Sequence, residues 1–206
     1  TSLPFAQSTI AVDLVRASVQ YLRAADSNSL DLSTAGTLET WIKFTANPSP
    51  AGQVYAILFK DDQSAQRSYF TVLRNVADVL NYEIVVFGNS VYDQFRWAIT
   101  PTAGIWYHIA WTINTSNPSA TTFEFFLDGV SQGNGVSVNS GNVTTIDNST
   151  APFTLGGTSE PTAAVTLDGK LDDVRVWNTV RTGTQINDNK SVELTGSESG
   201  LVAYWP

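Results

Sequence analysis

The 206-residue sequence contains no cysteine and no methionine, only four lysines, and a single histidine, His108. Without cysteine there is no disulfide, no thiolate metal site and no thiol nucleophile. One histidine alone serves zinc poorly, and any nucleophilic triad that needs histidine has to use His108. No apolar run approaches the roughly 18 residues of a membrane span, so membrane insertion is not expected. Eleven Lys plus Arg stand against nineteen Asp plus Glu, a formal net charge of −8. A chain this poor in cations has no phosphate-binding stripe, and nucleic acid is not an expected partner. The opening TSLPFAQSTIAVDL lacks a basic segment followed by an apolar core, so no signal peptide is expected within it.

Small polar residues stand where the charges are missing. Thr, Ser and Asn number 24, 20 and 14, together 58 of 206 residues. Hydroxyl-rich composition suits the exposed faces of strands, and it points to an extracellular, cell-surface or virion-surface protein. Hydrophobic residues at 42% and aromatics at 11% supply a core and exclude a disordered chain. No Pro/Gly/Ser linker divides the sequence, so residues 1–206 read as one domain. Thr1 to Ile10, apolar and uncharged, reads as an extended arm for a partner.

Alternation of period two recurs between turn residues. Leu38 to Phe44, Val54 to Phe59, Ser68 to Leu73, Tyr82 to Phe87, Trp106 to Ile113, Thr122 to Leu127, Phe153 to Leu155, Leu171 to Trp177 and Leu201 to Trp205 all read as strands. The only helix signal, Thr184 to Val192, predicts one or two turns. Many short strands at this spacing predict an all-β, two-sheet antiparallel sandwich. Trp41, Trp111 and Trp177 lie in alternating strands and are expected between the sheets. Strict alternation would send Asp172 and Asp173 to opposite faces.

No run of alternating carboxylates on one strand offers the pair a glycosidase needs. Glu39 has no acidic partner two or four residues away, and Glu83 and Glu124 are isolated. His108 reads as a partly buried histidine satisfied by a neighbouring strand, with Glu39 its candidate partner. These residues speak against hydrolase activity. Sugar binding needs an aromatic platform flanked by polar groups. Tyr92-Asp93-Gln94-Phe95-Arg96-Trp97 is the stretch that best combines them. The competing reading puts Trp97 in the core and Tyr92 at a covered edge.

Six segments occur in an order that resembles the laminin-G-like, concanavalin A-like jelly-roll family of bacterial and viral surface proteins. They are Tyr21 to Leu32, Thr37 to Lys43, Trp106 to Ala110, Phe126 to Gly129, Leu155 to Asn178 and Glu193 to Trp205. The family often continues beyond the closing Tyr-Trp segment, so an end at Pro206 reads as a processed or partial product. The resemblance implies a jelly roll used for carbohydrate binding, adhesion or structure. It also implies a structural calcium ion, Ca2+, near the early Asp-containing loop and the late acidic strand, with Asp26 and Asp172 as ligands. The alternative is that Asp26 caps the turn Asp26 to Ser29 and Asp172 bonds a neighbouring loop. A more distant likeness to pentraxins implies ligand contacts at Asn81 and Glu160. The expected partner is a glycan or cell-surface polymer. The alternative is a decoration, spike or filament subunit whose surface meets other protein subunits.

Overall fold

The computed structural model describes residues 11–49, 51–116 and 122–206. The arm expected over residues 1–10 lies outside them. The strands are β1 (Val12–Leu14), β2 (Leu22–Ala24), β3 (Ala35–Phe44), β4 (Val54–Asp61), β5 (Arg67–Val76), β6 (Val79–Gly88) and β7 (Val91–Ala98). They continue with β8 (Trp106–Asn114), β9 (Thr122–Leu127), β10 (Val130–Asn134), β11 (Val136–Ser140), β12 (Phe153–Leu155), β13 (Gly169–Trp177) and β14 (Leu201–Trp205). One sheet runs β1-β13-β3-β8-β9-β10, with β14 also paired to β13; the other runs β11-β7-β6-β5-β4-β12-β2. The recorded pairings are antiparallel. All nine expected strands are present, and the fold is the two-sheet antiparallel sandwich that alternation predicted, in the jelly-roll form that the resemblance implied.

The single α-helix among the described residues, α1 (Gly183–Asn189), starts where its cap chemistry dictates. Thr182 accepts from the Gln185 backbone N–H, and the Gln185 side chain accepts from the Thr182 N–H. This reciprocal pair satisfies two otherwise orphaned donors.

The core lies between the sheets. Leu38, Ile42 and Phe44 of β3, Ile109, Trp111 and Ile113 of β8, and Tyr82, Ile84 and Val86 of β6 all join it. Trp111 sits at its aromatic centre, 5.2 Å from the Phe125 ring and 6.3 Å from Tyr82. Tyr82 in turn stacks on Phe125 at 4.9 Å.

The other two tryptophans correct the expectation. Trp41 and Trp177 occupy the opposite face of the first sheet, beneath α1 and the segment after it. Trp41 Nε1 donates to the Lys190 carbonyl, and Trp177 Nε1 donates to Glu39. The alternation itself was right; both faces of this sheet are covered, so the buried set is not confined to one side. His108 is fully buried where partial burial was expected, and its Nε2 lies 3.4 Å from Oε2 of Glu39, the neighbour expected for it. Asp173 breaks the expected alternation with Asp172. It adopts φ +53° where the β13 register shifts, and its carboxylate pairs with Arg175.

Candidate functional site

The outer face of the second sheet carries a row of aromatic rings flanked by ion pairs and open at Tyr92. Alternation sends Tyr82, Ile84 and Val86 of β6 into the core, so Glu83, Val85 and Phe87 face outward. Register then assembles the face. Phe59 pairs with Phe70, Phe70 with Val85, and Val85 with Gln94. One row away, Glu83 pairs with Val72 and Arg96; on the other side Phe87 pairs with Tyr92.

Four rings form a continuous run across β4, β5, β6 and β7. Phe59 and Phe70 are stacked with centroids 4.6 Å apart. Phe70 to Phe87 is 6.1 Å, and Phe87 to Tyr92 is 5.5 Å. The buried end is Phe59 and the open end is Tyr92, which is 40% exposed. The Arg67 guanidinium lies over the Phe87 ring, 4.0 Å from its centroid. Its Nε donates to the buried Asp61 carboxylate at 2.9 Å. Burial raises the Asp61 pKa, and the Arg67 hydrogen bond and charge oppose that rise without cancelling it. A cavity of about 400 Å³ opens here, lined by Gln66, Arg67, Phe87, Ser90, Tyr92, Asp147 and Asn148 among others.

At the other end of the face, Glu83 is fully buried among cations. Its Oε2 accepts from Arg74 Nε at 2.9 Å and from the Gln94 amide at 3.0 Å. Its Oε1 lies 3.2 Å from Arg96 Nη2. A second cavity, about 490 Å³, is lined there by Arg74, Gln94 and Arg96 with Gly52, Asn75, Val76 and Ala77.

The residues expected from sequence separate into different places. Tyr92 is on this face. Asp93 and Trp97 are not, which corrects the cluster drawn along one stretch of chain. Asp93 is 1% exposed and accepts from the backbone N–H groups of Gly141, Asn142 and Val143 at 2.7, 3.0 and 3.0 Å. Trp97 is 5% exposed, belongs to the core and donates Nε1 to the Gly133 carbonyl at 2.9 Å. One-step alternation explains this: if Tyr92, Gln94 and Arg96 face out, Asp93 and Trp97 face in. Asn81 is the register partner of Arg74 but is buried, with Nδ2 donating to the Val79 carbonyl at 2.8 Å. Glu160 is exposed in the loop after β12. β4 and β5 lie between β12 and β6 in the sheet, so the pentraxin-like pair does not form one strand-to-strand contact.

The two carboxylates assigned to calcium do not share a site. Asp26 forms an ion pair with Lys60 Nζ. The same ammonium meets Asp31 at 3.7 Å and the carbonyls of Ser149 and Ala151, so this oxygen set already holds a cation supplied by the chain. Asp172 lies on β13 in the other sheet, opposite Trp41. It is 5% exposed, and burial together with the neighbouring Asp173 charge raises its pKa. Among the described residues no group of three or more His, Asp or Glu is placed to hold a metal ion.

Sequence reasoning missed Phe59, Arg67, Phe70, Arg74, Glu83 and Phe87 as members of this face. The outward triplet Glu83, Val85, Phe87 was the available signal, since it places a carboxylate and a ring on the side opposite the core residues of β6.

The model of the laminin G-type family in the concanavalin A-like lectin/glucanase superfamily matches residues 16–187. The chain belongs to this superfamily. No curated protein matches it in sequence. Among solved structures, it is similar to a candidate carbohydrate-binding protein from Bacteroides ovatus, with 15% identity, a TM-score of 0.65, and coverage of 90% of this chain but 48% of that one. It thus spans about half of that protein. Domain 4 of the extracellular arabinanase AbnA from Geobacillus stearothermophilus, in complex with arabinotriose, is 19% identical with a TM-score of 0.55, covering 91% of this chain and 81% of that one. The heptameric SAP-like pentraxin of Limulus polyphemus is 15% identical with a TM-score of 0.54, covering 81% and 79%. At these identities the likeness establishes the superfamily's sandwich and not a ligand.

Proposed function

We propose that this chain is a non-catalytic carbohydrate-binding module of an extracellular or surface-associated protein. It seats a glycan or cell-surface polymer on the outer face of the β11-to-β2 sheet. The observation that carries this reading is the four-ring run ending at exposed Tyr92, with Arg67 over Phe87 and amide, hydroxyl and carboxylate groups lining the adjoining cavity. A sugar ring has an apolar C–H face and a polar rim, and this surface offers a partner to each. The presence of arabinotriose on a domain of the same fold supports the reading. Binding without turnover fits the burial of His108 and Glu39 beneath α1, where substrate does not reach.

Tyr92→Ala tests the proposal. Calorimetric titration with the best oligosaccharide from a glycan array is expected to give a Kd in the micromolar-to-millimolar range for the parent protein. The variant is expected to bind about tenfold more weakly, equivalent to ~1.4 kcal/mol. Its melting temperature should change little, because the side chain is half open to solvent already. Undiminished affinity in a folded Tyr92→Ala protein contradicts the proposal, as does release of reducing ends from the bound polymer.

A further inference from the structure

We propose that the Arg74–Arg96 end of this face is an acid-sugar subsite that receives the carboxylate of a uronic or sialic acid residue. The inference rests on the glycan reading of the face and narrows its ligand class.

Glu83 organises the subsite without being exposed. Its fully buried carboxylate takes Arg74 Nε and the Gln94 amide on one oxygen and faces Arg96 Nη2 with the other. Each guanidinium has five N–H donors; Arg74 gives one to Glu83, and Arg96 is held to it as an ion pair at 3.2 Å. Arg74 and Arg96 remain about a third and a quarter exposed, and both line the cavity. Two cations against one anion leave a single positive charge in a molecule whose net charge is −8. No acidic side chain lines the cavity; its other walls are Gly52, Asn75, Val76, Ala77 and Gln94.

These features favour a carboxylate. A planar guanidinium fork matches a carboxylate with two parallel hydrogen bonds. Prior fixation by Glu83 removes part of the ordering cost that a free arginine would bear on binding. Tyr92 and Arg96 stand on one strand four residues apart, about 13 Å at the usual rise. A short oligosaccharide stacked at Tyr92 can therefore place an acidic residue at Arg96.

The test compares tetragalacturonate with its fully methyl-esterified counterpart, and sialyllactose with lactose, by calorimetry at about 0.1 M salt. At least one acidic probe is expected to bind about tenfold or more tighter than its neutral match, and which pair shows the preference identifies the source of the carboxylate. Arg96→Gln is expected to remove that preference. Arg96→Lys keeps a cation beside Glu83 but loses the fork, and is expected to lose most of the preference while remaining folded. Equal binding of acidic and neutral probes, with a response still mapped to Tyr92, overturns the acid subsite and leaves the glycan reading standing. A preference that survives both Arg96→Gln and Arg74→Gln overturns it as well. Failure of every probe, together with a glycan array blank for the parent protein, overturns both.

Discussion

Replacing Lys60 with alanine is expected to cost about 3–5 kcal/mol of stability, the range found when one partner of a buried ion pair is removed. The Lys60 side chain is fully buried. Its ammonium holds Asp26, lies 3.7 Å from Asp31, and donates to the carbonyls of Ser149 and Ala151. Without it, the mostly buried Asp31 carboxylate and two carbonyl oxygens face one another with nothing between them. Three separate parts of the chain lose their common tie: the Asp26–Asp31 segment, β4, and the approach to β12. The same geometry predicts that a chelator leaves the melting temperature of the parent protein unchanged, since the cation is covalently part of the chain. Urea denaturation of the two proteins checks the first expectation. A loss under about 1 kcal/mol would show that water or a rearranged carboxylate replaces the ammonium.

Glu39→Ala is expected to be comparably damaging, again about 3–5 kcal/mol. Glu39 is fully buried and meets Trp177 Nε1, His108 Nε2 at 3.4 Å and Arg181 Nε at 3.6 Å. The variant strands an indole N–H, an imidazole and a guanidinium under α1. The pH dependence follows from the same contacts. Burial alone would raise the Glu39 pKa. The hydrogen bond and charge of His108 and the charges of Arg175 and Arg181 outweigh it, holding the carboxyl below its ordinary 4.5. The unfolded chain therefore takes up this proton first as pH falls. Stability from Glu39 is present above the ordinary value and is lost as pH drops through the folded one. Denaturation midpoints measured from pH 7 downward should show the parent protein losing stability in acid, with that part of the slope absent in Glu39→Gln. An unchanged acid slope in Glu39→Gln contradicts this assignment.

Period-two alternation made the strands legible because each half-buried strand writes its two faces into alternate residues. β3 is the clearest case, with Leu38, Ile42 and Phe44 inward and Glu39, Trp41 and Lys43 outward. The placement of Trp41 and Trp177 was missed because α1 and the segment after it cover the outer face as well, so a large ring there is buried without belonging to the core between the sheets. Asp93 and Trp97 were legible in principle, since they cannot share a face with Tyr92 in a regular strand. The ring run was hidden for a different reason. Phe59, Phe70, Phe87 and Tyr92 come from four strands, and only register brings them into line. The Lys60 cage was hidden likewise, because its oxygens come from residues 34 positions before it and about 90 after.

In the proposed function a glycan lies across the outer face of the β11-to-β2 sheet. Residue-by-residue NMR shift mapping during titration with the highest-affinity oligosaccharide tests it most directly. The shifts are expected to concentrate on Arg67, Phe87, Tyr92, Gln94 and Arg96, with the α1 side of the molecule silent. Shifts confined to the loop around Glu160, or to the face beneath α1, would contradict it.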